Sequence, residues 1–324
     1  INGNTGMYIK AAENSLAGLF RINNQTNCGQ VEADDCVPIF KSIRVDEMKS
    51  GNSGSIPEDI PFIAVSNQTG KQMLELAEQG AVLRLFTDVD NTGELSVSVP
   101  CGTMYGKTED LIIVGAHHDT VYHGPGAVDD TSGTASVLEM ARQIAIIANE
   151  SGTPEYTIRF CTWGGEEEGL WGSKAYVNAN GNELARNLRL YINLDMNHVD
   201  IDQSRGDSVT LFTNHPEDYG HIESLTEEYK EANPEMAEKY TINLGLYDGD
   251  KGDEDGMPCN SDHCPFVYDL DGGDTIGRAA VCYGSGSWEY HTYLDEMTRF
   301  NEESLGISIT IYGNYMKYLA WNAD

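Results

Sequence analysis

Four separate stretches of this chain run as apolar, β-branched segments and then stop on residues of metal-binding type. They are LIIVGA before His117, His118 and Asp119; TIRFCTWGG before Glu166, Glu167 and Glu168; LRLYINL before Asp195; and AAVCYGSGSW before Glu289, Tyr290 and His291. Such segments read as buried strands. In an open α/β sheet the ligand crevice lies beyond the carboxyl ends of the strands, so the four tips are expected to meet in one place. Between the first two lies an acidic turn, Gly126 to Gly133, that carries Asp129 and Asp130 and opens a long helical run. It adds a carboxylate to the same crevice.

The 324 residues suffice for one large core and more readily for two domains. With 52 acidic residues against 20 basic ones the formal net charge is −32. That surface repels nucleic acid and anionic lipid and attracts cations. The acids are spread along the chain, which predicts a solvated surface and not a disordered tail. A saline habitat is consistent with this composition but does not follow from it. No apolar run approaches the roughly 20 residues that span a bilayer, which predicts a soluble chain without membrane insertion. The start at Ile1, with neither an initiator Met nor a signal peptide, reads as a processed or trimmed product. Sequons at Asn24, Asn67 and Asn149 would accept glycans on a eukaryotic secretory route.

Residues 1 to about 95 read as a small α/β module. GMYIKAAENS predicts a helix, AGLFRIN and IPFIAVS two strands, GKQMLELAEQG a helix ending on Gly80, and AVLRLF a third strand. A long polar loop covers 25–59. Asp88, Asp90 and Gly93 resemble the start of a calcium loop, but no Glu stands at its twelfth position, so a plain turn is expected. Beyond it, ELSVSV and LIIVGA read as a hairpin-like pair, followed by alternating strands and helices. Ser132 is the expected cap of the helix through Val137, Met140 and Ile144. The last run, ESLGISITIYGNYMKYLAWN, reads as a covering helix despite its β-branched residues. The alternation predicts a single α/β domain over 95–324.

Of seven cysteines, Cys28 with Cys36 and Cys259 with Cys264 are spaced to close short loops in an oxidising compartment. Cys161 and Cys282, inside apolar strands, read as buried free thiols.

The segments GAHHDT, GAVDDTSG, GGEEEGLWGS, NLDM, SDHCPF and YHTYLD, in this order, resemble the co-catalytic di-zinc exopeptidases, metallopeptidase family twenty-eight, over residues 111–324. Residues 1–94 resemble part of a protease-associated domain. The resemblance implies a mixed, mainly parallel sheet flanked by helices, two Zn²⁺ per chain, and a set of site residues. His117 and Asp195 would hold one metal, Glu167 and His291 the other, with Asp129 bridging and a cis peptide bond after it. Glu166 would be the general base and Asp119 the carboxylate that orients His117. Tyr290 would stabilise the oxyanion, with packing as its ordinary alternative. His118 faces the other side of the strand, and Glu168 is left without a role. His123, His198, His215 and His221 are expected at the surface or in loops. His263 is expected to serve structure, with Ser261 starting a helix and Asp262 as a nearby acceptor.

The implied activity is hydrolysis of an N-terminal peptide bond, on peptides with a free N-terminus, in a secreted or lumenal protein. A carboxypeptidase or dipeptidase of the same family is the nearest alternative. It needs cations for the substrate carboxylate, and none of the 10 arginines falls inside the six motifs. A single-zinc glutaminyl cyclase and an inactive receptor-like relative are more distant readings, because the predicted ligand set is complete. Met196, Phe266 and Trp288 would line an apolar pocket unless they are core. Oligomeric state and side-chain preference are left open.

Overall fold

The computed structural model of the chain describes residues 3–22, 60–88, 94, 96–122, 124–270 and 276–322. The Cys28–Cys36 pairing, the first sequon, the calcium-like turn and His123 lie wholly or partly outside them. The chain packs as two compact units: Ile1–Ser96 with Val121–Gly124 and Trp288–Leu294, and the remainder.

In the first unit, α1 (Gly3–Glu13) precedes β1 (Leu19–Ile22), which pairs in parallel with β2 (Phe62–Val65). Helix α2 (Asn67–Glu78) starts where Ser66 Oγ accepts the Thr69 amide at 3.1 Å. Tyr8 and Ile9 are buried against Ile60 and Phe62. The expected third strand does not form. Residues 81–88 make no ladder with any described strand, and Val82 and Phe86 are exposed.

The second unit is built on a seven-stranded sheet. Its strands are β3 (Cys101–Met104), β4 (Leu111–His117), β5 (Thr157–Trp163), β6 (Leu188–Leu194), β7 (Ser208–Thr213), β8 (Thr241–Leu246) and β9 (Ala279–Gly284), in the order β3-β5-β4-β6-β9-β7-β8. Strands β5, β4, β6 and β9 are neighbours and all parallel. These are the four strands picked out in the sequence, so their carboxyl ends share one edge of the sheet. The pairings of β3 with β5 and of β7 with β9 are antiparallel, which makes the sheet mixed.

Both sheet faces are covered. On one, Ile112, Val114, Ile192 and Ala280 pack under α3 (Thr131–Ser151), α5 (Pro216–Ala232) and α8 (Glu302–Asn322). On the other, Ile113, Trp163, Tyr191 and Val281 pack under α4 (Trp171–Asn187) and α7 (His263–Tyr268). Successive strand residues thus alternate between two apolar layers. A short helix, α6 (Pro234–Lys239), links α5 to β8. The final run is helical because its buried residues, Leu305, Ser308, Ile311, Tyr312, Tyr315 and Met316, recur every three or four positions. Among the described residues no helix is long and apolar enough to cross a membrane.

Three expectations are corrected here. The β4 hairpin with ELSVSV does not exist, because β5 and β6 occupy both edges of β4 and leave no edge for a third partner. Cys161 is not a free thiol. It forms a disulfide with Cys101 across β3 and β5, while Cys259 pairs with Cys264 and Cys282 stays free and buried. Ser132 does not cap α3. Asp130 does so by accepting the Gly133 amide at 2.9 Å, and Ser132 Oγ donates back to the Val128 carbonyl. The two disulfides indicate an extracytoplasmic, oxidising setting.

Candidate metal centre

Strand β4 ends on His117, whose ring is buried. Its Nδ1 lies 2.9 Å from the Asp119 backbone oxygen and 3.6 Å from that residue's carboxylate. The carboxylate also accepts the backbone amides of Glu166 and Glu167, at 3.1 and 3.2 Å. Asp119 therefore fixes the ring and, from the neighbouring strand tip, the loop that carries both glutamates. His118 points away, is exposed, and lies 3.0 Å from Thr162 Oγ1.

The other ring nitrogen of His117 faces carboxylates. Asp129 Oδ1 is 3.1 Å from Nε2, and Glu166 and Asp195 each approach to 4.0 Å. Asp129 and Asp130 are joined by a cis peptide bond. Their roles divide according to their contacts. Asp130 accepts the amides of His117, Gly133 and Met196 at 3.2, 2.9 and 3.0 Å, so its oxygens are committed to backbone. It ties the end of β4, the start of α3 and the end of β6 together. Gly133 is the only residue type that fits there, since a β-carbon would run into the Leu194 carbonyl and the Asp130 carboxylate.

Asp295 is a residue that the sequence reading missed. Buried, it accepts the Val128 and Asp129 amides at 2.8 and 3.1 Å, and its carbonyl accepts the Ala127 amide. It clamps the loop presenting Asp129. Its only sequence signal is its place at the end of YHTYLD.

Two buried groups of metal-ligating type result. One is His117, Asp130 and Asp195, with ligand atoms all within 4.8 Å of one another; the second includes Asp129 and Glu167. The electrostatics call for a cation. Burial pushes Asp195 up to about 6, with Asp129 adding repulsion and His117 opposing. Burial also drives Asp130 well above the usual carboxylate range, aided by Asp195 and Asp129. Burial opposes a charged His117, yet Asp130, Asp119 and Asp129 outweigh it and raise its pKa well above normal. Imidazole and carboxylate donors without thiolate form a set that suits zinc.

His291 has positive φ, 59°, in the turn Trp288–Leu294, where the Thr292 amide donates to the Glu289 carbonyl. Tyr290 stacks on it with ring centroids 3.6 Å apart. Of the histidines expected at the surface or in loops, His198 and His215 lie in loops, His198 fully buried with its Nδ1 2.7 Å from the Val199 carbonyl and His215 half-buried, whereas His221 lies half-buried on α5. Phe266 is core, stacked on Tyr191. Asp262 precedes α7 without capping it and accepts from Ser173, whereas Ser261 accepts from Asn193.

The profile of Peptidase family M28 matches residues 101–316. An aminopeptidase of Pseudomonas aeruginosa is 32% identical over 164 residues, 49% of this chain and 29% of that protein. The probable leucine aminopeptidase 2 of Aspergillus oryzae is 28% identical over 268 residues, 76% of this chain and 49% of that one. The chain thus spans less than half the length of these curated relatives. Among solved structures, BSAP, a zinc aminopeptidase from Bacillus subtilis, matches with a TM-score of 0.63 at 20% identity, covering 97% of this chain and 67% of its own. That is a likeness of fold.

Proposed function

The chain belongs to peptidase family M28, and we propose that within it this protein is a secreted, zinc-dependent aminopeptidase. The observation that carries this reading is the crowding of buried carboxylates about His117 at the carboxyl ends of the parallel strands, a donor set that a bound cation would neutralise. His117 and Asp195 would hold one Zn²⁺, Glu167 and His291 a second, and Asp129 would stand between them. Bound there, the pair would acidify a shared water and polarise the scissile carbonyl.

The chain's own groups supply the rest. Glu166, whose carboxylate reaches to 4.0 Å from His117 Nε2, takes the proton of the attacking water and returns it to the leaving amine. Asp119 holds the Glu166 amide and thereby aims that base. Tyr290 donates to the oxyanion as it forms. The same excess of carboxylates receives the substrate's α-ammonium, and both relatives described above are aminopeptidases by name. Residues 1–94 are a partial protease-associated-like module, and 95–324 the catalytic domain.

A pair of blocked substrates tests this. Aminoacyl anilides should be cleaved, N-acetylated ones should not, and a chelator should abolish turnover until Zn²⁺ is restored. Cleavage of N-blocked dipeptides that is lost on C-terminal amidation would make the enzyme a carboxypeptidase, and turnover indifferent to chelation would remove the metals.

A further inference from the structure

The loop between β5 and α4 carries Glu166 and Glu167 and folds back on the start of the helix it leads into. The first amides of a helix have no partners within it. Here they serve the loop. The Leu170, Trp171 and Gly172 amides donate to the carbonyls of Glu166, Gly165 and Gly164 at 3.0, 2.9 and 2.9 Å, and the Gly169 amide also reaches the Glu166 carbonyl, at 2.8 Å.

So close a return demands glycine. A β-carbon at position 172 would meet the Gly164 carbonyl oxygen at 2.6 Å and its nitrogen at 2.9 Å, and Gly165 has φ 75°. The backbone of Glu166 is thus held on both sides, its amide by Asp119 and its carbonyl by the turn that opens α4. Whatever fixes that turn fixes the glutamate.

The turn is fixed by a polar contact in an otherwise apolar layer. Trp163, Val177 and Phe266 pack where α4 and α7 cover the sheet. Among them Ser173, in the first turn of α4, donates from Oγ to Asp262 Oδ1 at the entrance to α7, and the same Oγ lies 3.3 Å from the Leu170 carbonyl. Both residues are fully buried, and the second Asp262 oxygen has no hydrogen-bond partner among the described residues. A carboxyl group withdrawn from water for one hydrogen bond adds little to stability, and small apolar residues at 173 and 262 would avoid that penalty. What the bond does add is geometry. Apolar surfaces can slide past one another, whereas a hydrogen bond has a preferred length and angle.

We propose that Ser173 and Asp262 are positioning residues for the proton carrier: their hydrogen bond sets the first turn of α4 and, through the amides of residues 169–172, the direction from which Glu166 faces the attacking water. This rests on the reading of Glu166 as general base.

The test is steady-state kinetics of the zinc-loaded protein on an aminoacyl anilide. Ser173→Ala should lower kcat by about 10- to 100-fold with KM and zinc content as in the wild type, since small misplacements of a reacting group are felt in turnover. Glu166→Gln is the reference background. There Ser173→Ala should produce no further loss, because its effect passes through the base. Val177→Ala, on the same helix and in the same apolar layer, should lower the melting temperature and leave kcat unchanged. Should Ser173→Ala fail to fold with the Asp262 carboxylate left buried and alone, the double variant Ser173→Ala/Asp262→Ala removes both partners and is read in the same way. Full kcat in a folded, zinc-loaded variant, a loss that multiplies with that of Glu166→Gln, or an equal loss in Val177→Ala would overturn the positioning role while leaving the base in place. Full turnover in Glu166→Gln would overturn both.

Discussion

Two adjacent glutamates in one loop invite the assumption that they act alike, and the contacts of Asp119 explain how they are kept apart. Its two carboxylate oxygens take the two successive amides, so each glutamate leaves a pinned backbone. Replacing Glu166 by Gln preserves size and should preserve both metals, but it removes the proton carrier. Turnover should fall by about 10²- to 10⁴-fold with metal content unchanged; a folded, metal-loaded variant with full turnover would strip Glu166 of that role. At this scale much was legible. His117, Asp129, Glu167 and Asp195 each follow a strand or turn whose pattern announces it. Asp295 was not legible, since it binds the amides of Val128 and Asp129 from 166–167 residues away and no local spacing encodes that.

At the scale of elements, the parallel strands were readable because burial on both faces gives unbroken apolar runs. Strand β3 was not, being four residues long and half exposed, and the Cys101–Cys161 link is only evident once β3 and β5 are side by side. Burial of His198 escaped for a similar reason: its surroundings come from segments distant in sequence, among them Phe300. Helix α7 opens on His263, buried, with Nε2 against the Pro258 carbonyl. Burial pushes its pKa down to about 4 from 6.5. The folded state therefore binds fewer protons than the unfolded one between these values. The contribution is fully present above pH 6.5 and is lost as pH falls toward 4. Compared with His263→Gln, the wild type should lose about 2 kcal/mol of relative stability between pH 7.5 and 5. Denaturant midpoints that move in parallel for the two proteins across this range would refute it.

For the whole molecule, the net charge of −32 sets the folded state against itself. Salt screens such repulsion over about 8–10 Å at 0.1–0.15 M. The melting temperature, at fixed zinc and neutral pH, should rise from low to moderate sodium chloride. It should rise equally in nitrate, with most of the gain below a few hundred millimolar. A flat or falling curve would show that the repulsion is already relieved. The parallel arrangement of β5, β4, β6 and β9 has a consequence for assembly. His117 closes β4 and His118, just beyond it, faces the other way, so a slip of one residue against the neighbouring strands would exchange them and turn the buried imidazole away from Asp129 and Asp195. With the di-metal reading proposed above, ion retention would report strand register at the centre of the sheet.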